Sequence, residues 1–92
     1  MKLANPVMLR AGYAPSVQVA KAIGKVLSTV HRMVSRGEIR AMRDGNALYI
    51  DLTSLEQHFR GNGPMLLRVK ELRRWVKERG SGNVARSAQS ED

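Results

Sequence analysis

Two glycines, Gly24 and Gly37, bracket the stretch GKVLSTVHRMVSRG. Between them Leu27, Val30, Met33 and Val34 repeat at steps of three and four, which makes one apolar stripe of a helix. The spacing predicts a helix from about Leu27 or Ser28 to Arg36, stopped by Gly37. Its other side carries Ser28, Thr29, His31, Arg32, Ser35 and Arg36, all able to donate hydrogen bonds outward. A chain of 92 residues has one modest core. This one devotes its best-patterned helix to outward donors.

The flanking segments give those donors a setting. Ser16 follows Pro15 and precedes VQVAKAIG, so a helix is expected over 17–23, capped by Ser16 and ended by Gly24. Val17, Ala20 and Ile23 are its expected inward residues. After Gly37 the period changes. EIRAMR and ALYI flank Asp44-Gly45-Asn46, a strong hairpin signal because glycine takes positive φ cheaply. Ile39, Ala41, Leu48 and Ile50 are expected to face inward. Asp51 is the expected cap of a helix through about Arg60, with Leu52, Leu55 and Phe59 inside. GNGP then breaks the chain, and Pro64 suits the first turn of a further helix through about Arg79.

Two short helices on a glycine turn, followed by a small hairpin, predict an α+β, mostly helical fold. It is a small winged helix-turn-helix with a two-stranded wing and an added C-terminal helix. The expected division is a DNA-binding domain over 1–63, a basic amphipathic helix over 64–79 and a disordered tail over 80–92. In such a fold the second helix enters the major groove with its N-terminal residues against base edges. Arginine can take both acceptors of guanine, and serine and threonine reach bases or phosphates.

Residues 16–60 resemble the excisionase and MerR-type helix-turn-helix families. The pattern is a capped A-x-x-x-G helix, then G-x-S-x-S-T-V-x-R-L-I-x-x-G, a hairpin xIxAxRxGxxxxI, and a short capped helix. Here the chain reads AKAIGKVLSTVHRMVSRGEIRAMRDGNALYIDLTSLEQHF. Gly24, Ser28, Thr29, Val30, Arg32, Gly37, Ile39, Ala41, Arg43, Gly45, Ile50 and Leu55 fall in register. Lys25 and Val26 depart from it, standing where the family has an apolar residue and a serine cap. The helix is therefore expected to be capped by Ser28 after a longer turn, with Lys25 at the surface. MerR regulators also carry a dimerising coiled coil and an effector domain, neither of which is expected within these 92 residues.

The expected DNA-contacting residues are Lys25, Ser28, Thr29, His31, Arg32, Arg36 and Arg40, with Arg43 and Asn46 at the wing. Sixteen Lys and Arg against eight Asp and Glu give a net charge of +8, which draws a chain to polyanions. One Phe, one Trp and two Tyr make a poor stacking platform for RNA. Without cysteine no disulfide or thiolate site forms, and two separated histidines make a poor zinc set. No cofactor, metal or catalytic group is expected.

No apolar run approaches the length of a membrane span, and Asn5, Pro6 and Arg10 interrupt any secretory signal. The expected setting is the cytoplasm and nucleoid of a bacterium, with the chain belonging to a phage or mobile element. Two roles share the domain: an excisionase-like factor bending DNA for an integrase, and a small transcriptional regulator. The alternative is an adaptor, such as the small DNA-recognition subunit of a phage packaging machine, whose last helix binds a protein partner. On that helix Met65, Val69, Leu72 and Val76 form an apolar face, expected to dock on the domain rather than pair with another copy, so that further copies are expected as partners on adjacent DNA sites. Lys70, Arg73, Arg74 and Lys77 form a basic face, expected to be exposed and available to phosphate or a partner.

Overall fold

Asn5 and Pro6 start a helix that the apolar periodicity does not reveal. Asn5 caps it, its Oδ1 accepting the Val7 N–H at 2.9 Å, and Pro6 takes the first turn where no amide donor is needed. The computed structural model describes residues 5–81. In chain order the elements are α1 (Pro6–Arg10), β1 (Tyr13–Pro15), α2 (Ser16–Ile23), α3 (Leu27–Ser35), β2 (Ala41–Asp44), β3 (Ala47–Asp51), α4 (Leu52–His58) and α5 (Gly63–Ser81). The result is a small, mostly helical domain with a three-stranded antiparallel sheet in the order β1-β3-β2.

The sheet has one more strand than the expected hairpin. Tyr13, Ala14 and Pro15 pair with Asp51, Ile50 and Tyr49. Proline is tolerated there because β1 lies at the sheet edge. In the hairpin Asp44 pairs with Ala47, so Gly45 and Asn46 alone make the loop, with Gly45 at φ 62°. Asp44 belongs to the strand rather than to the turn.

The helices sharpen several expectations. In α2 the cap position is Pro15, and Ser16 is already helical with no side-chain cap bond. Pro15 is still paired in β1, so the strand runs straight into the helix. Ser16, Val19, Ala20 and Ile23 form the buried face, and Val17 is 47% exposed instead of inward. Gly24 ends α2 in the left-handed conformation at φ 71°, as its position requires.

The first residue of α3 is Leu27, and its cap position is Val26, extended at φ −76° and ψ 155°. The Thr29 N–H donates to the Val26 carbonyl at 3.0 Å, which closes the first turn there. Ser28 therefore lies inside the helix and is not its cap. Leu27 is 37% exposed, so the stripe begins effectively at Val30 and Met33.

The α4 cap is as read: the Asp51 Oδ1 accepts the Thr53 N–H at 3.0 Å, and Leu52 and Leu55 are buried. The last helix runs to Ser81, past the expected end, so residues 80 and 81 are helical. The rest of the expected tail, residues 82–92, lies outside the described residues, as do residues 1–4.

Val69, Leu72 and Val76 of α5 join Leu9 of α1, Val19, Ala20 and Ile23 of α2, and Leu52 and Leu55 of α4 in one core. Met65 packs at its margin. The apolar stripe of α5 is thus buried within the domain. Among the described residues no helix is long and apolar enough to cross a membrane.

Candidate nucleic-acid interface

α3 presents a clean division of chemistry. Val30 and Met33 are buried and Val34 is half-buried, while Ser28, His31, Arg32, Ser35 and Arg36 are exposed. At 100° per residue the exposed set shares one face, and Thr29 lies at its border, half-buried. Lys25 is exposed in the turn just before this face. The whole stretch from Ser16 to Gly37 contains no Asp or Glu, and neither does the sequence before it. That asymmetry is plain in the sequence: every carboxylate side chain lies at Glu38 or beyond.

Packing explains why the polar face is outward. α3 rests on α2, and α2 in turn rests on α5 and β3. Val30 and Met33 are consumed in the core, so most of the remaining helix circumference meets solvent. Val26, 67% exposed, and Leu27 add two apolar side chains at its N-terminal end.

The other expected contacts divide into available and engaged. Arg32, Lys25 and Arg43 have no carboxylate within 4.0 Å among the described residues. Arg36 has a loose one, Nη1 to Glu38 Oε2 at 3.9 Å. Arg40 is held by Asp51 through Nε and Nη2, each 3.2 Å from Oδ2. Its charge serves the start of α4 and is less free for phosphate. Arg43 and Asn46 are exposed at the hairpin tip. Asp44 beside them is engaged: its Oδ2 accepts from the Asn5 Nδ2 at 2.9 Å.

The basic face of α5 is a separate place. Lys70, Arg74 and Lys77 are exposed, as expected, but Arg73 is not free. Its Nε donates to Glu56 Oε2 at 2.6 Å, and its Nη2 donates to Glu56 Oε1 at 3.2 Å and to Thr53 Oγ1 at 3.1 Å. The Glu56 hydrogen bond raises the Arg73 pKa above the ordinary arginine value. Partial burial opposes this, and the charges of Glu56 and Asp51 add to the rise. The expectation of an exposed Arg73 is corrected by this pairing.

Two cations carry no signal in the sequence. The Arg68 Nη1 donates to the Ala22 carbonyl at 3.4 Å, close to the C-terminal end of α2, where a positive charge is favourable. Arg10 of α1 lies with the basic face of α5 around one cleft. Both placements depend on how α5 crosses the earlier helices, which no local pattern encodes. Among the described residues no three potential metal ligands cluster.

Comparison with known protein-family models, curated proteins and solved structures gives no match for this chain.

Proposed function

We propose that the chain is a sequence-specific double-stranded DNA-binding protein, a winged helix-turn-helix in which α3 enters the major groove. The observation that carries this reading is the exposed face of α3: Ser28, His31, Arg32, Ser35 and Arg36, all donors, in a stretch without a single carboxylate side chain. Base edges and phosphates both offer acceptors, and arginine meets guanine with two bonds. The left-handed Gly24 between α2 and α3 supports the same reading, since it is the tight turn such a pair of helices uses. The β2–β3 hairpin then acts as the wing, with Arg43 and Asn46 against backbone or minor groove. A factor of this kind serves recombination as an architectural element or transcription as a small regulator, with the same contacts in both.

The test is a titration of labelled duplex against salt. Each neutralised phosphate contributes a slope near −0.9 in log affinity against log salt concentration, and about four to seven contacts are expected. Affinity should therefore fall steeply between low and physiological salt. A site selected from a random duplex pool should also bind more tightly than the unselected pool. A flat salt response, or no enrichment of any site, would sink the reading.

A further inference from the structure

The strongest feature outside α3 is a cleft of about 540 Å³ between α1, α5 and the start of α4. Arg10 of α1 and Lys70, Arg73, Arg74 and Lys77 of α5 surround it. Leu9, Leu52 and Val76 lie at its base, almost wholly covered. With these three covered, the basic residues supply most of the accessible lining, and their aliphatic stems add apolar surface beside the charges.

Among the described residues, cations outnumber carboxylates around the cleft. Arg73 is paired with Glu56, but Arg10, Lys70, Arg74 and Lys77 have no carboxylate within 4.0 Å among the described residues. Glu71 and Glu78, the two carboxylates of α5, do not line the cleft. Lys70, Arg74 and Lys77 stand at helical spacings of four and three, where like charges weaken a helix. Three cations are thus stacked along one face of α5, with Glu71 and Glu78 at helical spacing from Arg74 alone.

The geometry of the cleft depends on one glycine. A Cβ at Gly80 would lie 3.2 Å from the Leu9 Cβ and 3.3 Å from the Arg10 backbone nitrogen. The absent side chain lets the end of α5 approach α1 closely. Arg10 is thereby set across from the α5 stripe, its Nη1 3.4 Å from the Gly80 carbonyl oxygen.

We infer that this cleft binds an acidic, amphipathic peptide segment of a protein partner. Charge complementarity calls for an anion, and the lining decides which kind. Ser, Thr, Asn and Gln are all missing from it, whereas phosphodiester backbones are usually met by hydroxyl, amide and backbone donors as well as by cations. Aliphatic stems beneath charged heads suit a segment that brings Leu-like side chains along with its carboxylates. The stripe from Lys70 to Lys77 is about 10 Å long, two turns of helix, and matches carboxylates spaced three and four apart on a docked helix. The cleft is built from α1, α5 and the start of α4, whereas α3 rests on α2, so the inference stands without the DNA reading.

The experiment uses the full chain in fluorescence anisotropy with two labelled peptides of about 16 residues, long enough to form helix. One carries Glu at the matching spacings with Leu between; the other has every Leu replaced by Ser. The Glu/Leu peptide should bind. It should lose about tenfold in affinity with Lys70→Gln/Arg74→Gln, a variant that removes charge but keeps most of each stem. A labelled duplex should lose less than the peptide does. Three results overturn the inference: no binding of the Glu/Leu peptide, equal binding of the Ser peptide, or a duplex loss as large as the peptide loss. The last would mark a nucleic-acid surface. The comparison of the two peptides uses the unaltered chain, so it tests the cleft whether or not the variant folds.

Discussion

Arg73 of α5 grips Glu56 of α4 with two nitrogens, Nε at 2.6 Å and Nη2 at 3.2 Å from the two carboxylate oxygens. The fork ties the last helix to the element before it and presses the same guanidinium on Thr53. Both side chains are more than one-third exposed, so solvent screens much of the attraction. A double-mutant cycle with Arg73→Ala and Glu56→Ala should give a coupling of about 0.5–1 kcal/mol by urea denaturation. The coupling should shrink in molar salt. A coupling that is zero at low salt would show that the fork does not form in solution.

Packing of α5 makes a larger prediction. Leu72 is 5% exposed and sits in the core, while Leu67 on the same helix is 64% exposed. Leu72→Ala should lower unfolding stability by about 2–4 kcal/mol, because it loses transfer energy and leaves a cavity. Leu67→Ala should stay within about 0.5 kcal/mol of the parent. If the two variants melt alike, α5 is not docked on the domain in solution.

Ser54 supports the joint between the hairpin and α4. It is buried, accepts the Arg40 N–H at 2.8 Å and donates to the Asp51 carbonyl at 2.7 Å. Ser54→Ala removes the acceptor and strands the Arg40 N–H, which should cost about 1–3 kcal/mol. Ser54→Thr keeps a hydroxyl but adds a methyl group in a filled site, so it should recover only part of the loss. An unchanged denaturation midpoint for Ser54→Ala would mean that water replaces the serine there.

How much of the fold can be read from sequence depends on how local each signal is. The hairpin is legible because Gly45 can adopt positive φ with no other part of the chain taking part. The buried side of α3 is legible because Val30 and Met33 repeat at helical spacing. β1 is hidden: three residues ending in proline form a strand only because Ile50 and its neighbours pair with them from far along the chain. α1 is hidden by its length, five residues being too few to show a period. Ser28 looks like a cap by residue type, but the backbone turns two residues earlier, at Val26. The spacing marks Arg73 as one of four equal cations. Only the crossing of α4 and α5 separates it from the others by bringing Glu56 to it.

The last prediction separates the two elements proposed to touch DNA. Arg32 lies on the exposed face of α3 with no carboxylate partner within 4.0 Å among the described residues. A side chain that reads a base edge contributes to one sequence and not to others. Arg32→Ala should therefore cost about 1–3 kcal/mol on the selected site and relax preference at one position. Arg43 stands at the hairpin tip beside a two-residue loop, where backbone or minor-groove contact is the available chemistry. Arg43→Ala should weaken selected and random duplexes alike and lower the salt slope by about one unit. Both variants change exposed side chains, so their unfolding curves should match the parent, and any affinity change reads the contact itself. Equal losses on both duplexes for Arg32→Ala would reduce it to a phosphate contact and move base reading elsewhere on α3. No loss for either variant would remove α3 and the hairpin from DNA binding altogether.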